Sequence, residues 1–498
     1  MPITVRQGRG KDCLFLSLLV AAALTLYYRV FSFYFAIDDY DFLGWLFYQR
    51  KDFSMQSFAR FTSQMCMKPE MFRPLVGRYF WEYMLFGSSP QGYFAVLLFD
   101  LVLLVCAVYY LARLITGNAA AGFLAALFFL IHPLQKEAIS VAANSQFLAA
   151  FFACVSLICV VKCVRGSGAK YGYASAFFSL CSVLGWQGAI VIPLVGMVYA
   201  SGGGVPGKNN GLPALFGNAM VLLSYSVFVV CYTTIPIAAK CYEPDLARLY
   251  NNSFYFSSAL MRPFFLDSWW NGLAQHQYFP RALVAGTIVL CACASCVILL
   301  RSRGGATLKK TGFLWGLLCL GIVPFLFLNN FLRNPHDLLL SAIPFFMLQA
   351  WAVTLLFGFC AGRRSIIGTG GALVLCGLVT GYIVSCASLV SGNKVFSHQI
   401  EGQTVMQLTS QVKKMHPAFP ASSNVYLVDF PGAFAYNRFR DVLRFSVCVP
   451  ISYHDRSMRV SVLTGAEFRK GSSVVRGQPR TYVFRYRGAR GVEEIYSP

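Results

Sequence analysis

Charge is scarce in this chain. Only 12% of its 498 residues are Asp, Glu, Lys or Arg, whereas a soluble globular chain carries roughly a quarter. That shortfall excludes an ordinary water-soluble domain. Acidic residues are the scarcer kind, 20 against 42 Lys and Arg, for a formal charge of +22. The excess does not point to nucleic acid, because much of it sits in short loops between apolar runs, where it orients a membrane protein. The remainder sits largely beyond residue 391. That tail holds a single cysteine, Cys448, which excludes an internal disulfide framework there. No lipidation box is visible. The apolar run from about Cys13 to Ala36 is too long for the core of a cleaved signal peptide, so it is read as an uncleaved first membrane helix.

Apolar residues make up 57% of the chain. They fall in repeated stretches near the roughly 20 residues that a bilayer core demands. The pattern predicts about eleven transmembrane helices, near 13–36, 93–114, 118–132, 143–162, 171–186, 188–200, 213–236, 279–300, 312–329, 337–360 and 366–390. Most of the 17 cysteines lie inside these runs. Cys291, Cys293 and Cys296 resemble a metal cluster in spacing alone, because few ionisable groups accompany them; cysteine in such a run behaves as a small hydrophobe.

Alternate loops carry the basic residues: Arg6, Arg9 and Lys11, then Arg113, then Lys162, Arg165 and Lys170, then Lys208, then Arg301, Arg303, Lys309 and Lys310, then Arg363 and Arg364. The positive-inside rule puts the N-terminus in the cytoplasm, and eleven crossings put the C-terminal tail outside. The expected domains are a bundle over 1–390 and a soluble extracytoplasmic α+β domain over 391–498, with strands from 424 onward. Two external segments exceed simple connectors. Residues 37–92 alternate aromatic and charged groups, as interfacial helices do. Residues from about 237 to 278 are dense in Tyr, Phe and Trp, suited to the bilayer interface and to holding a lipid or a sugar.

Ionisable groups at a membrane boundary are costly and invite a functional reading. Asp38, Asp39 and Asp41 follow the first helix. Paired carboxylates can act as a general base, one raising the other's pKa, can hold a divalent cation, or can simply face water at a helix end. Arg73, in Arg73-Pro74-Leu75, offers a planar fork for phosphate on a face where topology does not call for cations. His132-Pro133, with Lys136 and Glu137, clusters at a short turn. Arg262-Pro263 and Arg333-Asn334-Pro335-His336 supply two further cationic sites.

The order of these motifs resembles the GT-C glycosyltransferases, in particular bacterial relatives of the transmembrane-and-tetratricopeptide-repeat O-mannosyltransferases. The acidic pair is followed by Arg73-Pro74-Leu75, by Gly87-Ser88-Ser89-Pro90-Gln91-Gly92-Tyr93, by His132-Pro133 with Glu137-Ala138, and by late external arginines. Where many relatives carry Ser-Lys-Glu, this chain has Gly185-Trp186-Gln187, and no tetratricopeptide repeats follow the bundle. The resemblance implies an inverting transferase of a bacterial inner membrane, working on the outer face. Its donor would be a polyprenyl-phosphate sugar and its acceptor a protein, lipid or glycan. Asp38 or Asp39 would be the base, Arg73, Arg262 and Arg333 would bind the donor phosphate, and His132, Glu137, Gln187 and His336 would orient substrate. A divalent cation at Asp38, Asp39 and Asp41 is compatible with this chemistry but not required by it. A transporter or flippase of a lipid-linked substrate is the main alternative. A non-catalytic scaffold is a third reading, and it leaves the acidic pair unexplained.

Overall fold

The computed structural model describes residues 9–36, 39–49, 52–68, 71–202, 211–232, 246–264, 279–302, 305–326, 338–362, 366–391, 397–430, 438–476 and 478–497. Each of the eleven apolar segments expected to span carries a helix. The first is α1, Arg9–Tyr27, continued by a 3-10 turn at Tyr28–Ser32. Among the described residues six helices are long and apolar enough to cross a membrane, and three shorter ones are apolar. The protein is a polytopic helical membrane protein.

Between the first two spans the chain folds into α2 (Asp39–Tyr48), α3 (Met55–Phe61), a short hairpin of β1 (Met67–Lys68) and β2 (Met71–Phe72), and α4 (Arg78–Phe86). This segment is packed rather than loose: Phe42, Trp45, Leu46, Phe61, Tyr79 and Phe80 are buried in the main core.

Helix α5 (Pro90–Thr116) starts with proline at its first turn, where a missing N–H costs nothing. It ends at Gly117, whose φ of +76° suits glycine, and the Gly117 N–H caps the Arg113 carbonyl at 2.8 Å. Asn118 then caps α6 (Ala119–Ile131) by accepting from the N–H groups of Ala120 and Ala121. This tight turn makes α5 and α6 antiparallel neighbours. After α7 (Leu134–Ala138), the helices α8 (Gln146–Val164), α9 (Lys170–Gly185), α10 (Val191–Gly202) and α11 (Leu212–Tyr232) pack as a group. Ser156, Ser175, Ser179 and Asn218 are joined by hydrogen bonds across α8, α9 and α11, the polar contacts by which helices associate in an apolar medium.

The remaining helices are α12 (Leu246–Met261), α13 (Phe279–Arg301), α14 (Gly305–Leu326), α15 (Leu339–Ala361) and α16 (Ile366–Ser391). Helix α15 is the most buried of these and packs on α6, α13, α14 and α16.

Beyond it, α17 (Ser397–Met415) leads into a mixed domain containing β3 (Asn424–Val428), α18 (Arg438–Tyr453), β4 (Arg459–Leu463), α19 (Gly465–Arg476), β5 (Thr481–Tyr486) and β6 (Val492–Tyr496). The strands begin at 424, as the β-branched pattern predicts. The order is β4-β3-β5-β6, with β3 parallel to both neighbours and β6 antiparallel on β5. Parallel pairing requires crossover connections, which α18 and α19 supply. Helix α18 also packs on α2, so this domain rests on the loop between the first two spans.

Candidate active site

The first span ends in a 3-10 turn, Phe33–Ala36 is not helical, and α2 begins at Asp39. Asp39 opens α2 and is fully buried. Its Oδ2 accepts from the Ala36 N–H at 2.9 Å and the Ala142 N–H at 3.2 Å, and its Oδ1 accepts from the Ala143 N–H at 2.7 Å. Three main-chain donors on one carboxylate fix its position. The contact clasps the start of α2 to the turn after α7. Asp38 lies outside the described residues.

From that turn a second link runs onward. Ser145 donates from Oγ to the Gly185 carbonyl at 2.6 Å. Gly185 closes α9 and has no room for a side chain: a Cβ there would lie 2.9 Å from the Ala149 Cβ and 3.3 Å from Leu75 Cδ1. Arg73-Pro74-Leu75 therefore docks on the end of α9. Arg73 is half-buried, and its N–H donates to the Cys66 carbonyl at 2.6 Å, which anchors the hairpin exit. Gln187, half-buried, opens a 3-10 turn two residues beyond Gly185.

His132 is fully buried. Its Nδ1 accepts from the Leu134 N–H at 3.2 Å, which leaves Nε2 to donate to the Leu260 carbonyl at 3.3 Å. That pattern is the neutral tautomer, and the ring packs on Phe346. The expected substrate contact is thus a clamp: His132 faces the end of α12 rather than open space, and holds it two residues before half-buried Arg262. Lys136, equally buried, donates from Nζ to the Leu389 carbonyl of α16 at 2.9 Å, and Ser385 of the same helix donates to the Pro263 carbonyl at 2.7 Å. The Glu137 side chain, Arg333 and His336 lie outside the described residues.

The acidic cluster divides. Asp41 is exposed, on the opposite side of α2 from buried Asp39. Asp39 is buried and held by main-chain donors while Asp41 points to the other side, so the two do not converge on one cation. Among the described residues no three His, Cys, Asp or Glu side chains converge as a metal site.

One buried ionic group escapes the sequence reading. Arg78 of α4 pairs through Nε with Glu82 at 3.2 Å and through its other end with Asp100 of α5. Burial pushes the Glu82 carboxyl up to about 7; Arg78 pulls against this and Asp100 adds to it. Two signals for this cluster stand in the sequence, an acid within a span and an Arg–Glu pair four residues apart.

Beside α2 lies a cleft of about 1040 Å³, lined by α2 residues including Tyr40, Asp41 and Tyr48 on one side and by C-terminal-domain residues including Asn424, Arg456 and Arg459 on the other.

No family model and no curated protein matches the sequence. Solved structures do match in fold. The archaeal oligosaccharyltransferase AglB from Archaeoglobus fulgidus, in complex with an inhibitory peptide and a dolichol-phosphate, aligns with TM-score 0.53 and 12% identity over 90% of this chain and 64% of that one. ArnT from Cupriavidus metallidurans bound to undecaprenyl phosphate aligns with TM-score 0.50 and 13% identity, covering 94% of this chain and 92% of that one. The chain thus spans just under two thirds of the oligosaccharyltransferase's length. At these identities the likeness establishes the fold, which is that of the GT-C glycosyltransferases.

Proposed function

We propose that this chain, with its GT-C fold, is a membrane glycosyltransferase that moves a sugar from a polyprenyl-phosphate carrier to an acceptor, with inversion. The observation that carries the reading is the joining, at one end of the bundle, of the segment before α2, the Arg73-Pro74-Leu75 segment and the turn at 141–146. The two fold relatives hold a dolichol-phosphate and an undecaprenyl phosphate, and the charge of such a carrier suits Arg73, which stands on one of these joined segments. Loop charges support a cytoplasmic N-terminus and an outward-facing site; the bacterial inner membrane, with that site on the periplasmic side, follows from the family resemblance.

Asp38 is the base in this reading, because Asp39 is committed to three main-chain N–H groups. Asp38 removes the proton from an acceptor hydroxyl. The acceptor oxygen then bonds to the anomeric carbon from the face opposite the phosphate. The carbon–oxygen bond to the carrier breaks, and its electron pair leaves on the polyprenyl phosphate. Arg73, Arg262 and Arg333 stabilise that developing charge. Glu137, Gln187 and His336 orient the sugar, and His132 holds the α12 end from which Arg262 projects. No step needs a metal.

The test is transfer from an isotope-labelled polyprenyl-phosphate sugar by the purified protein in proteoliposomes, supplied with a membrane-envelope extract as acceptor. Transfer by the wild type and its loss in Asp38→Asn are expected. Movement of the labelled lipid across the bilayer with no transfer would overturn the reading in favour of a flippase.

A further inference from the structure

We infer that the cleft between α2 and the C-terminal domain is the acceptor subsite and that it takes a glycan bearing negative charge. This rests on the glycosyl-transfer reading above. The volume of about 1040 Å³ is at the top of the range for small-molecule sites, enough for several sugar rings. One wall is α2, whose first residue follows the proposed base. The other is the loop from α18 into β4 and the start of that strand. Gly44 brings the walls together, since a Cβ there would stand 3.0 Å from Val447 of α18.

The lining has the chemistry of a charged carbohydrate site. Tyr48 is 40% exposed, and its hydroxyl donates to the Ser446 carbonyl at 3.0 Å. The ring is therefore held as a fixed flat face, apolar in body and wet at the edge. Gln49 and Asn424 add amides that can both donate and accept. The described lining residues include two arginines, Arg456 and Arg459, and one carboxylate, Asp41; the Arg456 guanidinium lies over the Phe47 ring, and arginine forks match carboxylate or phosphate. The loop carrying Arg456 is fixed in turn: Asp455 Oδ1 accepts from the Ser457 N–H at 2.8 Å and from its hydroxyl at 2.6 Å. Of the apolar lining residues, Tyr40, Trp45 and Met458 are buried beneath the surface.

The test is equilibrium binding to the full-length protein in nanodiscs. The labelled probes are an oligogalacturonide, a phosphorylated mannan fragment, neutral maltohexaose and an acidic peptide. At least one anionic glycan is expected to bind tenfold or more tightly than maltohexaose and to weaken with salt. Its binding should fall tenfold or more in Arg456→Gln/Arg459→Gln and recover in Arg456→Lys/Arg459→Lys. Which glycan binds tells carboxylate from phosphate. Equal binding of charged and neutral glycans, binding of the peptide alone, or full binding by the Gln variant overturns the proposal. Both arginines are exposed, so the Gln variant should melt as wild type does, and the Lys variant separates charge from folding. Undecaprenyl phosphate binding, measured on the same preparation, separates the two readings. Lipid binding without glycan binding removes only the acceptor subsite. Glycan binding without lipid binding removes the glycosyl-transfer reading.

Discussion

The Asp39 carboxylate accepts the main-chain N–H of Ala143 at 2.7 Å, across 104 residues of sequence. With its bonds to Ala36 and Ala142, this makes Asp39 the peg on which the start of α2 hangs. Asp39→Ala strands three amide donors at a buried place, each costing about 1–3 kcal/mol. A loss of roughly 3 kcal/mol or more is expected, seen as a marked fall in melting temperature in detergent. Asp38→Asn should melt near wild type while losing transfer by about a hundredfold or more, the scale of general-base catalysis. The opposite pattern, a stable Asp39→Ala and an active Asp38→Asn, would exchange the two roles.

Glu82 makes stability depend on pH. Its carboxyl is raised from 4.5 to about 7, chiefly by burial, so the folded protein holds this proton more tightly than the unfolded chain. The contribution is complete below about pH 4.5, shrinks as pH rises through 7, and changes little above. Glu82→Gln mimics the protonated form and lacks the dependence. The variant should differ little from wild type at pH 5 and be more stable by about 3 kcal/mol at pH 8. Melting temperatures at the two pH values decide it; equal shifts at both would show that Glu82 does not titrate in this range.

The helices were legible because a membrane sets their length. A run of about 20 apolar residues has one economical conformation in a bilayer, and each of the eleven segments read this way carries a helix. Strand β3 was legible from its β-branched run. What sequence spacing does not carry is which way a polar side chain turns. His132 and Lys136 stand in sequence as an ionisable cluster at a turn, yet both turn inward onto the carbonyls of Leu260 and Leu389, 128 and 253 residues away. Asp39 and Asp41 read as one cluster, but a helix sends residues two apart to opposite sides. The Arg78–Asp100 pair joins two helices, a contact that neither local pattern announces, although an acid inside a span is a signal in itself. The aromatic segment near 237–278 suits the bilayer interface, or a lipid or sugar, by composition; Phe256 is buried, while Trp269, Trp270 and Tyr278 lie outside the described residues.

Arg73 is a donor-binding candidate whose main chain is anchored through the Cys66 carbonyl. A charge-assisted hydrogen bond to phosphate is worth about 1.5–3 kcal/mol. Arg73→Gln should therefore raise the KM for the polyprenyl-phosphate donor about tenfold to a hundredfold. Arg73→Lys should recover part of this, because an ammonium keeps the charge and loses the fork. A KM unchanged in Arg73→Gln would remove this residue from the donor site.

Gly185 tests whether Arg73 depends on its platform. Its missing side chain lets Leu75 and Ala149 close over the end of α9, and Ser145 fixes its carbonyl from the turn that Asp39 clasps. Gly185→Val forces a branched group into space that holds the Ala149 Cβ at 2.9 Å and Leu75 Cδ1 at 3.3 Å. Overpacking of this kind typically costs about 1–3 kcal/mol. The strain falls on the Arg73-Pro74-Leu75 segment, so donor KM should rise as it does in Arg73→Gln, although no substrate contact has been removed. Combining the two substitutions should then add little, since both act on one position of one guanidinium. Fully additive effects on KM would mean that Gly185 acts through folding alone and that the docking of Leu75 does not set where Arg73 stands.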